Sequence, residues 1–226
     1  MHGGWEICVA GEALIALPQK ALYWPGQSTL FIADVHLGKD ASFQALGIPV
    51  PLGPTTDTFL RLSAVLAMVR PTRLVLLGDL WHSKAGRTDS LVADFLAWRQ
   101  VNASIEMILV EGNHDAKAGP LPADSQVTEV KEPHVIGPFA LCHYPEPCPK
   151  GYVLSGHIHP AVVLEGKGRQ TLKLPCFWFG KETAVLPAFG SFTGCARVSP
   201  AEGDQVLIVC EDTVLPVRTG VASGEC

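Results

Sequence analysis

The apolar run at residues 74–77 limits the possible folds of this chain more than any other stretch. Four consecutive leucine and valine side chains leave no polar face, and the run is too short for a core helix. It therefore reads as a strand buried on both sides, ending in Gly78-Asp79. Residues 105–110 read as another buried strand, ending at the Gly112-Asn113 loop, and residues 30–33 as a third, ending at Asp34. Helical stretches separate them. One starts with Thr55 or Thr56 as cap and ends near residue 69, with Phe59, Leu62, Leu66 and Val69 on one face and Arg70-Pro71 as its stop. The other covers residues 89–99, with Leu91, Phe95 and Trp98 on its apolar side. Short strands are expected at residues 5–10, 13–17 and 21–24. From about residue 127 short strands dominate again, at 139–142, 152–155, 162–165, 184–186, 206–209 and 214–217, with glycine and proline turns between them. This order predicts an α/β (α+β) chain of two packed sheets flanked by helices. It also predicts one domain over residues 1–226, with the strands before residue 33 integral to it and a tail frayed from about residue 218.

At 226 residues such a domain has room for a substantial core. The net charge of −5 argues against a non-specific nucleic-acid coat, which is ordinarily basic. It leaves room for a local phosphate site, where bound cations supply the positive charge. Seven cysteines, an odd number with no C-x-x-C pair, suit reduced thiols in a cytoplasmic protein better than a disulfide framework or a zinc ribbon. No signal peptide and no membrane span is expected.

Five motifs follow one another through the middle of the chain: Asp34-Val35-His36, Gly78-Asp79, Gly112-Asn113-His114-Asp115, His143 and Gly156-His157-Ile158-His159. They offer seven candidate metal ligands, Asp34, His36, Asp79, Asn113, His143, His157 and His159, with His114 to spare. Read in extended backbone, Asp34 and His36 point to the same side of a strand, as do His157 and His159. Asp79 has two oxygens and can bridge ions about 3.5–4 Å apart. The mix of oxygen and nitrogen donors, with no thiolate, suits Mn²⁺, Fe or Zn²⁺ rather than Ca²⁺.

Taken singly, each residue has a plainer explanation. An aspartate after a strand is ordinarily a turn or cap residue, Asn113 suits a left-handed turn, and His143 suits a core position. Independent turn and core residues have no reason to fall into a D-x-H pair, an H-x-H pair and a G-N-H-D turn at successive strand ends. Two divalent ions and phosphoester cleavage are the joint implication. His2 and His134 fit no motif and are expected at the surface.

These motifs resemble those of the calcineurin-like metallophosphoesterases, over roughly residues 30–160. The resemblance implies a metallophosphoesterase-type four-layer sandwich of two mixed β-sheets flanked by helices. It implies one ion on Asp34, His36, Asp79 and His159, and the other on Asp79, Asn113, His143 and His157. His114 would then stabilise the transition state or protonate the leaving oxygen. The form Gly78-Asp79-Leu80-Trp81-His82 and the G-N-H-D ending look like the nuclease branch. His36-Leu37-Gly38-Lys39 and the segments at residues 174–179 and 186–194 resemble the DNA-ligase-associated metallophosphoesterases of bacteria. That group implies two Mn²⁺-type ions, DNA or another phosphodiester as substrate, a repair setting, and a DNA ligase and a helicase as partners.

Around this centre, Asp115 either orients His114 or closes the turn, and His82 is expected to face the cleft. Lys39, Lys84 and Arg87 are candidates for holding phosphate oxygens, with solvated surface as the alternative for Lys84 and Arg87. Three functions compete: a nuclease or phosphodiesterase on DNA, a small-molecule phosphodiesterase or phosphatase, and a non-catalytic scaffold that keeps the fold. The intact motif set weighs against the scaffold.

Overall fold

A computed structural model describes residues 2–50, 53–166 and 170–217. The expected fraying from about residue 218 lies outside the described residues.

The chain opens with β1 (Trp5–Val9), β2 (Glu12–Leu17), β3 (Ala21–Trp24) and β4 (Thr29–Ile32), an antiparallel meander. Helices α1 (Lys39–Ala45) and α2 (Pro54–Val69) lead to β5 (Arg73–Leu77), and α3 (Asp89–Val101) leads to β6 (Glu106–Val110). The short helix α4 (Asn113–Ala118) then precedes β7 (Val127–Val130). β4 to β7 are parallel neighbours and complete a seven-stranded mixed sheet in the order β1 to β7. The second sheet is built from β8 (His134–Ile136), β9 (Phe139–Leu141), β10 (Tyr152–Ser155), β11 (Pro160–Glu165), β12 (Thr171–Phe179), β13 (Thr183–Val185), β14 (Ala196–Arg197), β15 (Gln205–Cys210) and β16 (Thr213–Val217). Its order is β14-β11-β12-β13-β10-β9-β8, with β15 and β16 branching from β12. β9, β10 and β13 run parallel; β11 and β12 form an antiparallel ribbon.

Period-two alternation explains why the central strands are apolar throughout. Phe31, Val75, Leu77, Ile108 and Val110 face Phe139, Leu141, Leu154 and Phe177 of the other sheet in one core. The alternate residues Leu30, Ile32, Leu74, Leu76, Met107 and Leu109 face outward, onto Leu62, Val65, Leu66 and Val69 of α2 and onto Leu91 and Phe95 of α3. The outer face of the second sheet carries a smaller cluster of Cys176, Val198, Val206 and Ile208. No helix among the described residues is long and apolar enough to cross a membrane.

Two local expectations need correction, and one helix was not expected. The N-cap of α2 is Gly53, in the left-handed region with Pro54 next; the hydroxyl of Thr55 bonds Asp40 instead, at 2.7 Å. Helix α1 carried no cap signal in the sequence, because its N-cap is Gly38, also left-handed. Cys142, Cys148, Cys176, Cys195 and Cys210 are free thiols, whereas Cys8, expected as a thiol, is disulfide-bonded.

Candidate metal centre

All five motifs sit just past the carboxyl ends of parallel strands: Asp34 after β4, Asp79 after β5, Asn113 after β6, His143 after β9 and His157 after β10. Such strand ends are where ligands bind in open sheets. Two loops continue the pairing of β4 and β5 beyond the strands, through His36 N to Asp79 O (2.9 Å) and Leu37 N to Leu80 O (2.8 Å). Residues after β13 join them, with Phe189 N on Ala33 O and Gly190 N on Asp34 O. The site is thus tied together by backbone hydrogen bonds from both sheets.

The extended backbone expected for the two histidine-containing pairs is not what brings them together. Asp34, His36, Asp79, His157 and His159 all adopt positive φ, between 50 and 69°. Side chains enter this region rarely, Asp and His more readily than most, and such residues cluster where function over-determines the geometry. The sharp reversals send successive ligands in different directions. His159 Nε2 lies 3.3 Å from His36 Nε2 and 3.5 Å from Asp34 Oδ1, whereas His157 Nδ1 lies 3.1 Å from His143 Nε2.

Two donor groups result, and Asp79 stands between them. Its Oδ2 is 3.7 Å from His36 Nε2; its Oδ1 is 3.6 Å from His143 Nε2. On the first side, ligand atoms of Asp34, His36 and His159 lie within 4.8 Å of one another. On the second, Asn113 Oδ1 is 3.0 Å from His143 Nε2. The motif glycines make this approach possible. A Cβ on Gly78, whose φ is +83°, would land on the His143 ring, and one on Gly112 would strike the Asp79 carboxylate.

Hydrogen bonds fix which nitrogen each ring presents. His143 turns Nδ1 to Leu77 O (3.1 Å), His159 turns Nδ1 to Gly194 O (2.9 Å), and His114 turns Nδ1 to His82 O (2.6 Å). With their Nδ1–H groups donating to these carbonyls, His143 and His159 aim Nε2 at the centre, each with a lone pair to offer there when the ring is neutral. His36 and His82 meet through their Nδ1 atoms at 3.3 Å. Ring nitrogens and acceptor oxygens crowd together there so closely that positive charge, as protons or as cations, must lie between them. The seven residues therefore fit two divalent ions by their own chemistry.

Burial dominates the electrostatics. It pushes His36 down to about 2, helped by the neighbouring His159, His114, Lys39 and His82, and it pushes His82 down to about 4, helped by Lys39 and His114. Burial raises Asp79, against the pull of His143 and of the His114 amide. It also pushes Asp115 up to about 7. His159 is raised: burial opposes this, but the hydrogen bond and charge of Asp34 prevail.

The flanking candidates divide. His114 stacks on His82 at 4.9 Å, its side chain one third exposed at 34% and its Nε2 4.0 Å from Asp79 Oδ2. Asp115 accepts from the amides of Trp81 (2.9 Å) and Gly112 (3.1 Å), so it closes the turn. Lys39 is half-buried beside His36. Lys84 is exposed. Arg87 does not face the centre as a free cation: it donates to Ala118 O and Gly119 O at the end of α4 and lies over the Trp81 ring at 5.2 Å, a structural role. Sequence reasoning missed Glu132, whose carboxylate accepts from the amides of His143 and Tyr144 at 2.7 and 3.2 Å. It comes from another loop and carries no motif.

Two mixed sheets with these strand-end residues define the metallophosphoesterase fold. A crystal structure of the Pseudomonas putida nuclease MPE is 38% identical, over 95% of this chain and 100% of that one, with a TM-score of 0.83. The chain belongs to the family of that nuclease. The phosphoesterase Yfce of E. coli is also similar, at 14% identity over 84% of this chain and 97% of that one, with a TM-score of 0.37. No protein-family model matches the chain, and no curated protein does.

Proposed function

We propose that this chain is a binuclear metal-dependent phosphoesterase that cleaves phosphodiester bonds in DNA. The observation that carries the reading is Asp79, whose two oxygens face two separate nitrogen- and oxygen-donor groups. Asp34, His36, Asp79 and His159 would hold one ion, and Asp79, Asn113, His143 and His157 the other. Two divalent ions there would supply Lewis-acid charge to a phosphoryl group and acidify water near neutral pH, with Mn²⁺ the first candidate. DNA as substrate is supported by membership in the family of a nuclease and by the Gly78-Asp79-Leu80-Trp81-His82 sequence. The ligase-associated repair setting, with a DNA ligase and a helicase as partners, rests on the resemblance at residues 36–39, 174–179 and 186–194.

The protein's own groups divide the remaining work. The Nδ1 of His114 is anchored on His82 O, so its Nε2 is held at a fixed place beside Asp79. From there it donates a proton to the departing oxygen. Lys39 neutralises charge on phosphate oxygens at the His36 side. Asp115 holds the turn that carries Asn113 and His114.

The test is a parallel assay with Mn²⁺ on single-stranded DNA, bis-p-nitrophenyl phosphate and p-nitrophenyl phosphate. Cleavage of DNA and the diester, with little of the monoester, supports the proposal. Activity confined to the small esters would favour a small-molecule enzyme, as the net charge of −5 does.

A further inference from the structure

Of the aromatic side chains among the described residues, only Trp5, Phe43, Tyr144 and Phe192 belong to none of the hydrophobic clusters. Trp5 lies on an outer strand, 39% exposed. The other three are half-buried, and they stand at the two ends of the row of site imidazoles. At one end Phe192 packs edge-on against Phe43 at 5.8 Å, and Phe43 lies 6.1 Å from the His82 ring, which in turn is 5.2 Å from His36. At the other end Tyr144 lies 4.6 Å from His157 and 5.0 Å from His143. Asp79 sits between the two ends.

Large aromatic rings left out of a core forgo the stabilisation of burial, and a site flanked by them on both sides has two apolar faces to offer. A small phosphomonoester has at most one group to place on them. A polynucleotide has a planar base on either side of every phosphate, and every base has a π-face. Lys39 lies 6.0 Å from the centre of the Phe43 ring, which puts a cation for the adjoining phosphate beside one of these faces. Resting on the phosphodiester reading above, we infer that Phe43, backed by Phe192, and Tyr144 are the two seats on which the nucleobases flanking the scissile phosphate stack.

The test uses single-stranded octanucleotides with one phosphodiester, all other linkages being methylphosphonates. One strand carries bases on both sides of that linkage; two others are abasic on one side or the other. The wild-type protein should show a kcat/KM about tenfold higher for the full strand than for either abasic strand, the scale of one base–aromatic stack. Phe43→Leu should erase the preference on one side only, and Tyr144→Leu the preference on the other. Phe43→Trp and Tyr144→Phe keep a π-face and should keep both preferences. Equal cleavage of all three strands by the wild-type protein, or leucine variants that retain both preferences, would remove the seats and leave the nuclease reading standing. If the wild-type protein hydrolyses bis-p-nitrophenyl phosphate but none of the strands, the nuclease reading and the seats fall together.

Discussion

His114 donates from Nδ1 to the carbonyl oxygen of His82 across 2.6 Å. The bond fixes the ring from behind and leaves Nε2 as its working nitrogen. His114→Ala should therefore lower turnover by about 10²–10⁴-fold, the worth of one positioned acid, with metal content unchanged. The loss should be larger on DNA, whose alkoxide leaving group needs a proton, than on p-nitrophenyl esters, whose leaving group does not. Equal losses on both would shift the role to phosphate stabilisation. Loss of metal would make His114 a ligand.

Asp79→Ala should be the most damaging ligand substitution. Its two oxygens face His36 and His143 separately, so its removal opens both donor groups. Elemental analysis should find neither ion retained. Asn113→Ala, which touches only the His143 group, should keep one. Two ions in Asp79→Ala would end the bridging role.

Gly78→Ala should destabilise the protein and empty the His143 side of the centre. The position is left-handed, which costs a side chain about 1–2 kcal/mol, and the added methyl meets the His143 ring. Thermal unfolding and metal counting check the two effects separately. A variant with the wild-type melting temperature and full metal would show that the close packing of Gly78 against His143 is unimportant.

The motifs were legible because each ligand lies next to a strand end, and strand ends are marked by apolar runs that stop, with a glycine before Asp79, Asn113 and His157. The inward and outward alternation of residues 30–33, 74–77 and 107–110 follows directly from that reading. The backbone at Asp34, His36, His157 and His159 was not legible. Their left-handed conformation comes from pairing between loops far apart in sequence, such as His157 N on Asp34 Oδ2 at 2.9 Å. Glu132 escaped for the same reason, since its partners His143 and Tyr144 lie on another loop.

Arg87→Ala separates structural from substrate contacts. The guanidinium serves the carbonyls of Ala118 and Gly119, so its loss should cost stability, about 1–3 kcal/mol for charge-assisted hydrogen bonds. Chemical denaturation measures this. KM for DNA should change little, and a large rise in KM with unaltered stability would return Arg87 to the substrate.

Two ions sharing Asp79 are the core of the proposed chemistry. An anomalous-difference map from crystals grown with Mn²⁺ tests this directly. Two peaks about 3.5–4 Å apart, one among Asp34, His36 and His159, the other among Asn113, His143 and His157, with Asp79 reaching both, are the predicted result. A single peak, or two peaks that Asp79 does not join, would contradict it.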